Sequence, residues 1–332
     1  MTLPPHNPGT MTLYPLVFEP ILKERIWGGR NLETLYGKRL PPGVPIGETW
    51  EISDRPGDES VIANGPLRGK SIHWLMKNCV EALLGARTPM PSRFPLLIKI
   101  IDAHENLSLQ VHPPPGVAEQ LGGEPKTEMW YVARAGPKAE LFVGLKRGVT
   151  RAEFEKRLAA QTVAECFHRI AVKAGDAMFL PSGRVHALGA GTVIFEVQQN
   201  SDTTYRVFDW NRVDKNGNAR ELHVAQSLAS IDFEDFEPAL LPQTTMPANG
   251  GAIRPLVKNE LFEVVLRNAP TGARVDLAKS QMCIIGMVSG SMRIDWASEK
   301  ILLRTGMFCL FPADGAEATV RVENDATWLE IH

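Results

Sequence analysis

Two histidines, a glutamine and a glutamate in the middle of the chain are residue types that ligate divalent metal ions. Gln110 and His112 stand two positions apart in an alternating stretch, Glu128 follows a proline-rich turn, and His186 follows a segment punctuated by glycine and proline. On a strand, Gln110 and His112 share a face. Imidazole and carboxylate ligands suit an open, catalytic site for zinc, iron or manganese, to which an amide adds a neutral oxygen. Each residue alone is more often structural, but together they predict a metal site.

Short β-strands are the elements that must position these residues. Residues 107–112 alternate between apolar and polar side chains, which is typical of a strand with one buried face. Similar runs, separated by Gly, Pro, Asn and Asp, are 95–101, 129–133, 140–143, 177–180, 192–198, 262–266, 282–288, 301–303 and 307–311. Many short strands with turn signals predict a mainly β protein, built as a sandwich or a barrel.

The predicted helices are few. Ser71 can cap a helix that runs to about Leu84, and Thr150 with Glu153 forms a capping-box pattern for a helix over 150–160. A third helix of a single turn is predicted over 116–121.

Composition excludes several classes of protein. The 332 residues are 44% hydrophobic and carry a formal net charge of −2. This favours a globular protein of about two domains, or of one large all-β domain, and excludes disordered and collagen-like chains. The charge balance gives no electrostatic footprint for nucleic acid or for an anionic membrane. A charged substrate must therefore be bound by a local cluster of side chains.

Three further features of the sequence predict a cytoplasmic protein. The cysteines form no C-x-x-C pair and are interpreted as buried free thiols of a reducing compartment; they are Cys79, Cys166, Cys283 and Cys309. The first residues contain prolines and a histidine where a secretion signal needs an apolar run. The longest apolar stretch, 94–101, is too short to cross a bilayer.

One sequence pattern occurs twice. Five residues separate Gly175 from Pro181, and five separate Gly306 from Pro312. The first copy continues to His186, whereas the second has no histidine nearby. We interpret this as an internal duplication whose second copy lacks the chemistry.

The first copy also resembles a known motif. Gly175-x5-Pro181-x-Gly183-x2-His186 is similar to the second motif of the cupin superfamily, although Ala190 replaces the expected asparagine. Further stretches are similar to the type I mannose-6-phosphate isomerases, and they are 27–29 (WGG), 47–53 (GETWEIS), 108–113 (SLQVHP), 126–131 (KTEMWY) and 196–206 (EVQQNSDTTYR). The match runs from about Tyr14 to the C-terminus, and the chain resembles the shorter bacterial members, which lack a large helical insertion.

The resemblance implies a fold, and the prolines and glycines between the two copies of the repeat add a domain organisation. The fold is a cupin, a jelly-roll-like β-barrel, with a few helices and a second, degenerate cupin-like domain. We predict a disordered extension over 1–11, a metal-binding catalytic domain over 12–237, a connector over 238–255 and the degenerate domain over 256–332.

The resemblance also implies an activity, the zinc-dependent interconversion of mannose 6-phosphate and fructose 6-phosphate. One zinc ion per chain is implied, and the family's ligands correspond to Gln110, His112, Glu128 and His186. The other site positions of the family correspond to Arg206 for the active-site arginine, Ser108 and Lys126 for substrate binding, and Glu196 and Asp202 in the pocket. The partner is then a small sugar phosphate, and we expect a monomer or a weak homo-oligomer.

The sequence leaves the proton-transfer group open. Aldose–ketose exchange moves a proton between C2 and C1 through an enediol, and Lys126, Glu196 and Asp202 compete for this role. Asp202 is equally well explained as a turn residue. Glu196 lies on an apolar strand and must have a partner or a catalytic role, and Arg206 is one candidate partner.

Two other functions remain open. A non-catalytic sugar-phosphate sensor needs a phosphate site but no proton-transfer group. A cupin iron oxygenase uses a similar ligand set, but Lys126 and Arg206 favour a phosphorylated substrate. A related metalloenzyme acting on another phosphosugar is a further alternative.

Overall fold

The computed structural model describes residues 12–87, 89–214, 216–248, 250–277 and 280–332. The extension predicted over 1–11 lies outside these residues. Within them, strands predominate and helices are short, which confirms the predicted mainly β class. None of the helices in the described ranges has the length and apolar character needed to cross a membrane.

The described chain forms two compact units that alternate along the sequence. The site unit comprises Pro20–Asp58 and Pro95–Gln243, and the C-terminal unit comprises residues 12–19, Glu59–Phe94 and Thr244–His332. The domain boundaries at 237 and 256 stay a prediction, because they rest on composition along the chain and not on compactness.

The site unit contains two antiparallel sheets, whose strands are numbered in chain order. The larger sheet contains, in spatial order, β1 (Ile21–Gly29), β2 (Ile46–Ile52), β5 (Leu96–Ala103), β12 (Thr192–Gln199), β7 (Glu128–Ala135) and β10 (Ala177–Leu180). The smaller sheet contains β13 (Tyr205–Phe208), β6 (Leu109–Val111), β11 (His186–Leu188), β8 (Glu140–Leu145) and β9 (Phe167–Ala171). Two short strands, β3 (Asp54–Arg55) and β4 (Asp58–Glu59), complete the first segment.

Apolar cores bury both faces of the smaller sheet. One core draws side chains from both sheets, including Trp130 of β7 and Leu141 of β8. The other core contains Leu109 and Val111 of β6 together with Phe154 from the helix that follows β8. Because side chains alternate along a strand, Gln110, the one polar residue of β6, faces away from this second core. The alternation predicted for residues 107–112 therefore holds within the strand itself.

Five helical segments accompany the sheets of the site unit. They are α1 (Asn31–Tyr36), α4 (Pro115–Gln120), α5 (Arg151–Ala159), a 3₁₀ turn (Val163–Cys166) and α6 (Val224–Ser230) among the described residues. The helices predicted over 150–160 and 116–121 are confirmed as α5 and α4. The Thr150 hydroxyl accepts a hydrogen bond from the Glu153 amide at 3.2 Å, which is the N-cap that the sequence predicts.

The helix predicted over 71–84 is two helices. These are α2 (Ile72–Asn78) and α3 (Val80–Leu84) of the C-terminal unit. The backbone of Cys79 leaves the helical region, with φ of −142° and ψ of 28°, so one residue ends α2 and begins α3. The Ser71 hydroxyl accepts a hydrogen bond from the Trp74 amide at 3.1 Å, which confirms the predicted cap.

The remaining strands form one antiparallel sheet in the C-terminal unit. Its main path is β14 (Met246–Ala248), β15 (Gly251–Lys258), β16 (Glu263–Ala269), β21 (Ala318–Ile331), β18 (Cys283–Trp296) and β19 (Glu299–Arg304), with β17 (Arg274–Val275) on β21 and β20 (Phe308–Phe311) on β18. Strands therefore occupy part of the segment interpreted as a connector. Its prolines are compatible with strands because Pro247 lies in the end strand β14 and Pro255 lies at a bulge.

Backbone geometry confirms the internal repeat. Gly175 and Gly306 both have positive φ, and their amides donate at 2.8 Å to the carbonyls of Val132 and Met287, respectively. Strand β10 then pairs with β7 as β20 pairs with β18. Leu180, five residues after the first glycine, lies opposite Glu128, and Phe311, five residues after the second, lies opposite Cys283. The second copy thus has a thiol where the first has a carboxylate.

Candidate active site

Three of the four predicted metal ligands form one buried cluster. His112 directly follows β6, Glu128 begins β7, and His186 begins β11. One ligand atom from each lies within 4.8 Å of the others, and all three residues are buried. The two sheets of the site unit therefore bring together ligands that lie 16 and 58 positions apart in the sequence, counted from 112 to 128 and from 128 to 186.

Backbone carbonyls orient both imidazoles. The Nδ1 atom of His112 lies 2.8 Å from the carbonyl oxygen of Thr203, and that of His186 lies 2.9 Å from the carbonyl oxygen of Arg184. A protonated Nδ1 donates in each case, which leaves Nε2 free to accept or to ligate. The two Nε2 atoms lie 3.4 Å and 3.3 Å from the carboxylate oxygens of Glu128.

The cluster fits a divalent cation. Nε2 of His112 and both carboxylate oxygens of Glu128 are buried without a hydrogen-bond partner. Such unsatisfied atoms cost free energy, and a cation between them would remove that cost. Burial lowers the pKa of His112 to about 3 and also lowers the pKa of His186. Although burial opposes it, Lys126 holds the pKa of Glu128 well below its usual value, so all three side chains are in the ligating protonation state.

The fourth predicted ligand, Gln110, lies between two other site residues in the smaller sheet. Both His186 of β11 and Arg206 of β13 are opposite Gln110 in the strand register. Its amide nitrogen is 3.3 Å from Nε2 of His186. A half-turn of this amide exchanges its nitrogen and oxygen, so Gln110 can offer an oxygen to an ion bound by the cluster.

A cavity of about 450 Å³ lies beside the cluster. Its lining includes every remaining residue that the sequence singled out, namely Ser108, Lys126, Glu196, Asp202 and Arg206, together with Gln110. Lys126 is buried, and its ammonium lies 3.3 Å from Glu128. Asp202 is exposed, so of the three proton-transfer candidates it is the one in contact with solvent.

The buried carboxylate of Glu196 has two partners. The ammonium of Lys99 lies 2.9 Å from one of its oxygens, and the indole of Trp130 donates to the other at 2.9 Å. The alternative that Arg206 is this partner is wrong, because Arg206 instead donates to the carbonyl of Glu221 at 2.7 Å. Strand register explains the pairing, since Lys99 of β5 and Trp130 of β7 are both opposite Glu196.

Sequence reasoning missed five charged residues of the cavity, which are Glu24, Arg25, Glu48, Lys99 and Arg220. Lys99 interrupts an apolar strand, and that was a usable signal. Arg25 donates to Glu48 at 2.8 Å. Against the effect of burial, Lys99 and Arg25 lower the pKa of Glu48 to about 2. Arg220 lies in a loop and carries no local signal.

Comparison with known proteins agrees with this geometry. Residues 16–155 match the family model of the type I phosphomannose isomerase catalytic domain. The chain is 34% identical over 310 residues to a probable mannose-6-phosphate isomerase of Bacillus subtilis, GmuF, covering 92% of this chain and 96% of that protein. It is 34% identical over 299 residues to a mannose-6-phosphate isomerase of Streptococcus mutans, covering 90% and 92%.

A solved structure shows the same fold. The crystal structure of the mannose 6-phosphate isomerase from Bacillus subtilis superposes with a TM-score of 0.87 at 31% sequence identity, covering 96% of this chain and 99% of that chain. The cupin fold that the motifs predict is thereby confirmed. The chain belongs to the type I phosphomannose isomerase family.

Proposed function

We propose that the protein interconverts mannose 6-phosphate and fructose 6-phosphate by proton transfer through an enediol, with one zinc ion per chain. The observation that carries the proposal is the buried His112–Glu128–His186 cluster with unsatisfied ligand atoms, beside a cavity that contains both cations and carboxylates. The names of the relatives supply the substrate.

The proposed metal ligands are His112, Glu128, His186 and the amide oxygen of Gln110. Two imidazoles and a carboxylate form a donor set typical of catalytic zinc sites, and the amide of Gln110 would add a neutral oxygen. When bound, the ion supplies a Lewis acid, or a template for the sugar oxygens.

We assign proton transfer to Lys126 and Glu196. Both are buried and line the cavity, so each can reach a bound sugar away from bulk water. The Lys99 ammonium and the Trp130 indole hold the Glu196 carboxylate in one orientation. Asp202 is exposed at the same cavity, and we assign it to substrate binding. Arg206 and Ser108 are the proposed contacts for the phosphate end.

Removal of the metal tests the proposal. We expect chelation to abolish isomerisation of mannose 6-phosphate and zinc to restore it, as measured by a coupled assay with metal analysis of the same samples. Glu128→Gln, which removes a ligand charge, should lower zinc occupancy and activity together. Arg169→Gln, on the edge strand β9, serves as the matched variant that keeps both. Full turnover in a metal-free sample would reject the zinc-dependent reaction.

The same assays separate the alternatives. Binding of the sugar phosphate without turnover would identify a sensor, and oxygen consumption without isomerisation would identify an oxygenase. Lys126 and Glu196 beside the cluster favour the isomerase, since a sensor needs no proton-transfer group. The cytoplasmic location and the monomeric or weakly oligomeric state stay predictions.

A further inference from the structure

Two arginines of the site unit hold one carboxylate, and a third arginine lies nearby. Asp209 accepts from Nη2 of Arg212 at 2.6 Å and from Nε of Arg220 at 2.7 Å. A second guanidinium nitrogen of Arg220, Nη2, also donates to Asp209, so Arg220 is held by two parallel bonds. Arg206 lies on β13, and Asp209 directly follows the end of that strand. Of these arginines, Arg206 and Arg220 line the cavity.

The loop after β13 holds Arg220 beside Arg206. The amide of His223 donates to the carbonyl of Arg206 at 2.8 Å, and the Arg206 amide lies 3.1 Å from Nδ1 of His223. Arg212 donates to the carbonyl of Asn106 at 2.6 Å, which fastens the first part of the same loop. The position of Arg220 is therefore fixed by hydrogen bonds of its loop and of its own side chain.

Positive charge is left unbalanced at this end of the cavity. The guanidinium groups of Arg212 and Arg220 share the buried carboxylate of Asp209, and Arg206 adds a third cation nearby. Glu105, 3.6 Å from Arg212, is mostly exposed. Nε of Arg206 is buried and has no hydrogen-bond partner in the described parts of the chain. Burial lowers the pKa of Arg206, and the positive charge of Arg220 lowers it further. The charges of these groups thus favour an anion at this end of the cavity.

We propose that Arg220 and Arg206 together bind the phosphate group of the substrate, and that Asp209 is a positioning residue that aims Arg220 into the cavity. This rests on the proposed function, and it changes the assignment made from the sequence, in which Lys126 accompanies Arg206. Lys126 is ion-paired with the metal ligand Glu128, whereas Arg220 is held by Asp209, outside the metal cluster, and lines the cavity as Arg206 does. Asp209 takes the Nε and Nη2 groups of Arg220, so Nη1 of Arg220 and the buried Nε of Arg206 are available for the oxygens of a phosphate dianion.

Arg220→Gln tests the role of the guanidinium. A lost charge-assisted bond of this kind corresponds to a rise of about 10- to 100-fold in KM for mannose 6-phosphate, with kcat within about threefold. The inhibition constant of inorganic phosphate should rise by the same factor. Arg220→Lys, which keeps the charge but loses the fork, should give a smaller rise. Arg169→Gln removes a charge outside the cavity lining and should leave KM unchanged.

Asp209→Asn tests the positioning role through the sign of its effect. If Asp209 only neutralises charge, its loss makes the pocket more positive and phosphate binds more tightly. If Asp209 aims Arg220, phosphate binds more weakly, and the double variant with Arg220→Gln is no worse than Arg220→Gln alone. Tighter binding overturns the positioning role.

Calorimetric titration of inorganic phosphate, in buffer free of other oxyanions, separates this inference from the proposed function. If the wild type binds phosphate but does not turn over mannose 6-phosphate, the isomerase proposal fails and the arginine pair stands. If Arg220→Gln binds phosphate and substrate as the wild type does, the arginine pair is rejected whatever the reaction is. Circular dichroism of each variant verifies that it is folded.

Discussion

Charged side chains that are buried in pairs define the site at the scale of single residues. Glu128 faces two neutral imidazoles and the ammonium of Lys126, and Glu196 faces the ammonium of Lys99. A charge buried alone would shift its pKa or destabilise the fold. Lys126 thus keeps Glu128 ionised, which is the state that ligation requires, and Lys99 gives the buried Glu196 carboxylate a partner of opposite charge.

Lys99→Met should destabilise the protein and inactivate it. Both partners of the pair are about 5% exposed, and removal of one partner of a buried pair costs on the order of 3–5 kcal/mol in the free energy of unfolding. Adding Glu196→Gln should recover part of the stability, because one of the two buried carboxylates near Lys99 no longer carries an uncompensated charge, but it should not recover activity. Denaturant unfolding with the isomerase assay measures both. An unfolding midpoint equal to the wild type for Lys99→Met would contradict the pair.

At the scale of elements, the short strand β11 fixes a metal ligand. It begins with His186, pairs with β6 on one side and β8 on the other, and ends next to Gly189. A Cβ on Gly189 would lie 2.3 Å from the carbonyl oxygen of Glu140, at the start of β8. The close approach of the two strands therefore requires glycine and determines where the histidine lies.

Gly189→Ala should lower zinc affinity from three residues away. The clash must move β11 relative to β8, and overpacking of this kind costs about 1–3 kcal/mol. Because His186 moves with its strand, zinc retained after dialysis against a weak chelator should fall. Gly136→Ala is the matched control, since its Cβ would meet the nearest atom at an ordinary 3.6 Å. Equal zinc retention in the two variants would show that β11 tolerates the extra methyl group.

At the scale of the whole molecule, the two copies of the repeat bury different side chains at corresponding positions. The first contains the metal cluster, and the second has Cys283 at the place of Glu128 and an apolar core around it. The second copy nevertheless retains a buried carboxylate, since Glu330 is opposite Ile285 as Glu196 is opposite Trp130. Glu330 pairs with Arg267 at 2.6 Å and with His332 at 3.2 Å.

The Glu330–Arg267–His332 cluster makes the free energy of unfolding depend on pH. The bond to Glu330 raises the pKa of His332 above its usual 6.5. The stabilisation that the His332–Glu330 ion pair contributes is therefore fully present below about pH 6.5, and it is lost as the pH rises through the pKa of His332 in the folded state. His332→Gln should lower the free energy of unfolding more at about pH 5.5 than at about pH 9. Denaturant titrations at the two pH values measure this, and an equal loss at both would contradict the ion pair. Adding Glu330→Gln should remove the pH dependence.

The sequence alone was sufficient for the local features. The strand periodicity, the caps at Ser71 and Thr150, the repeated glycine–proline spacing and the ligand types are all encoded within a few neighbouring residues. The metal ligands could be predicted because imidazole and carboxylate side chains have a specific chemistry that a short motif makes recognisable. The family resemblance extended this to six of the residues that line the cavity, which are Ser108, Gln110, Lys126, Glu196, Asp202 and Arg206.

Only the tertiary structure decided which distant charges meet. The pairing of Lys99 with Glu196 depends on the register of β5 against β12, and the pairing of Arg220 with Asp209 depends on the path of a loop. Neither is encoded in local spacing, because long-range pairing is a property of the assembled sheets. For the same reason, the strands within 238–255 could not be told from a connector, since Pro247 and Pro255 are tolerated only at the edge and bulge positions that the sheet provides.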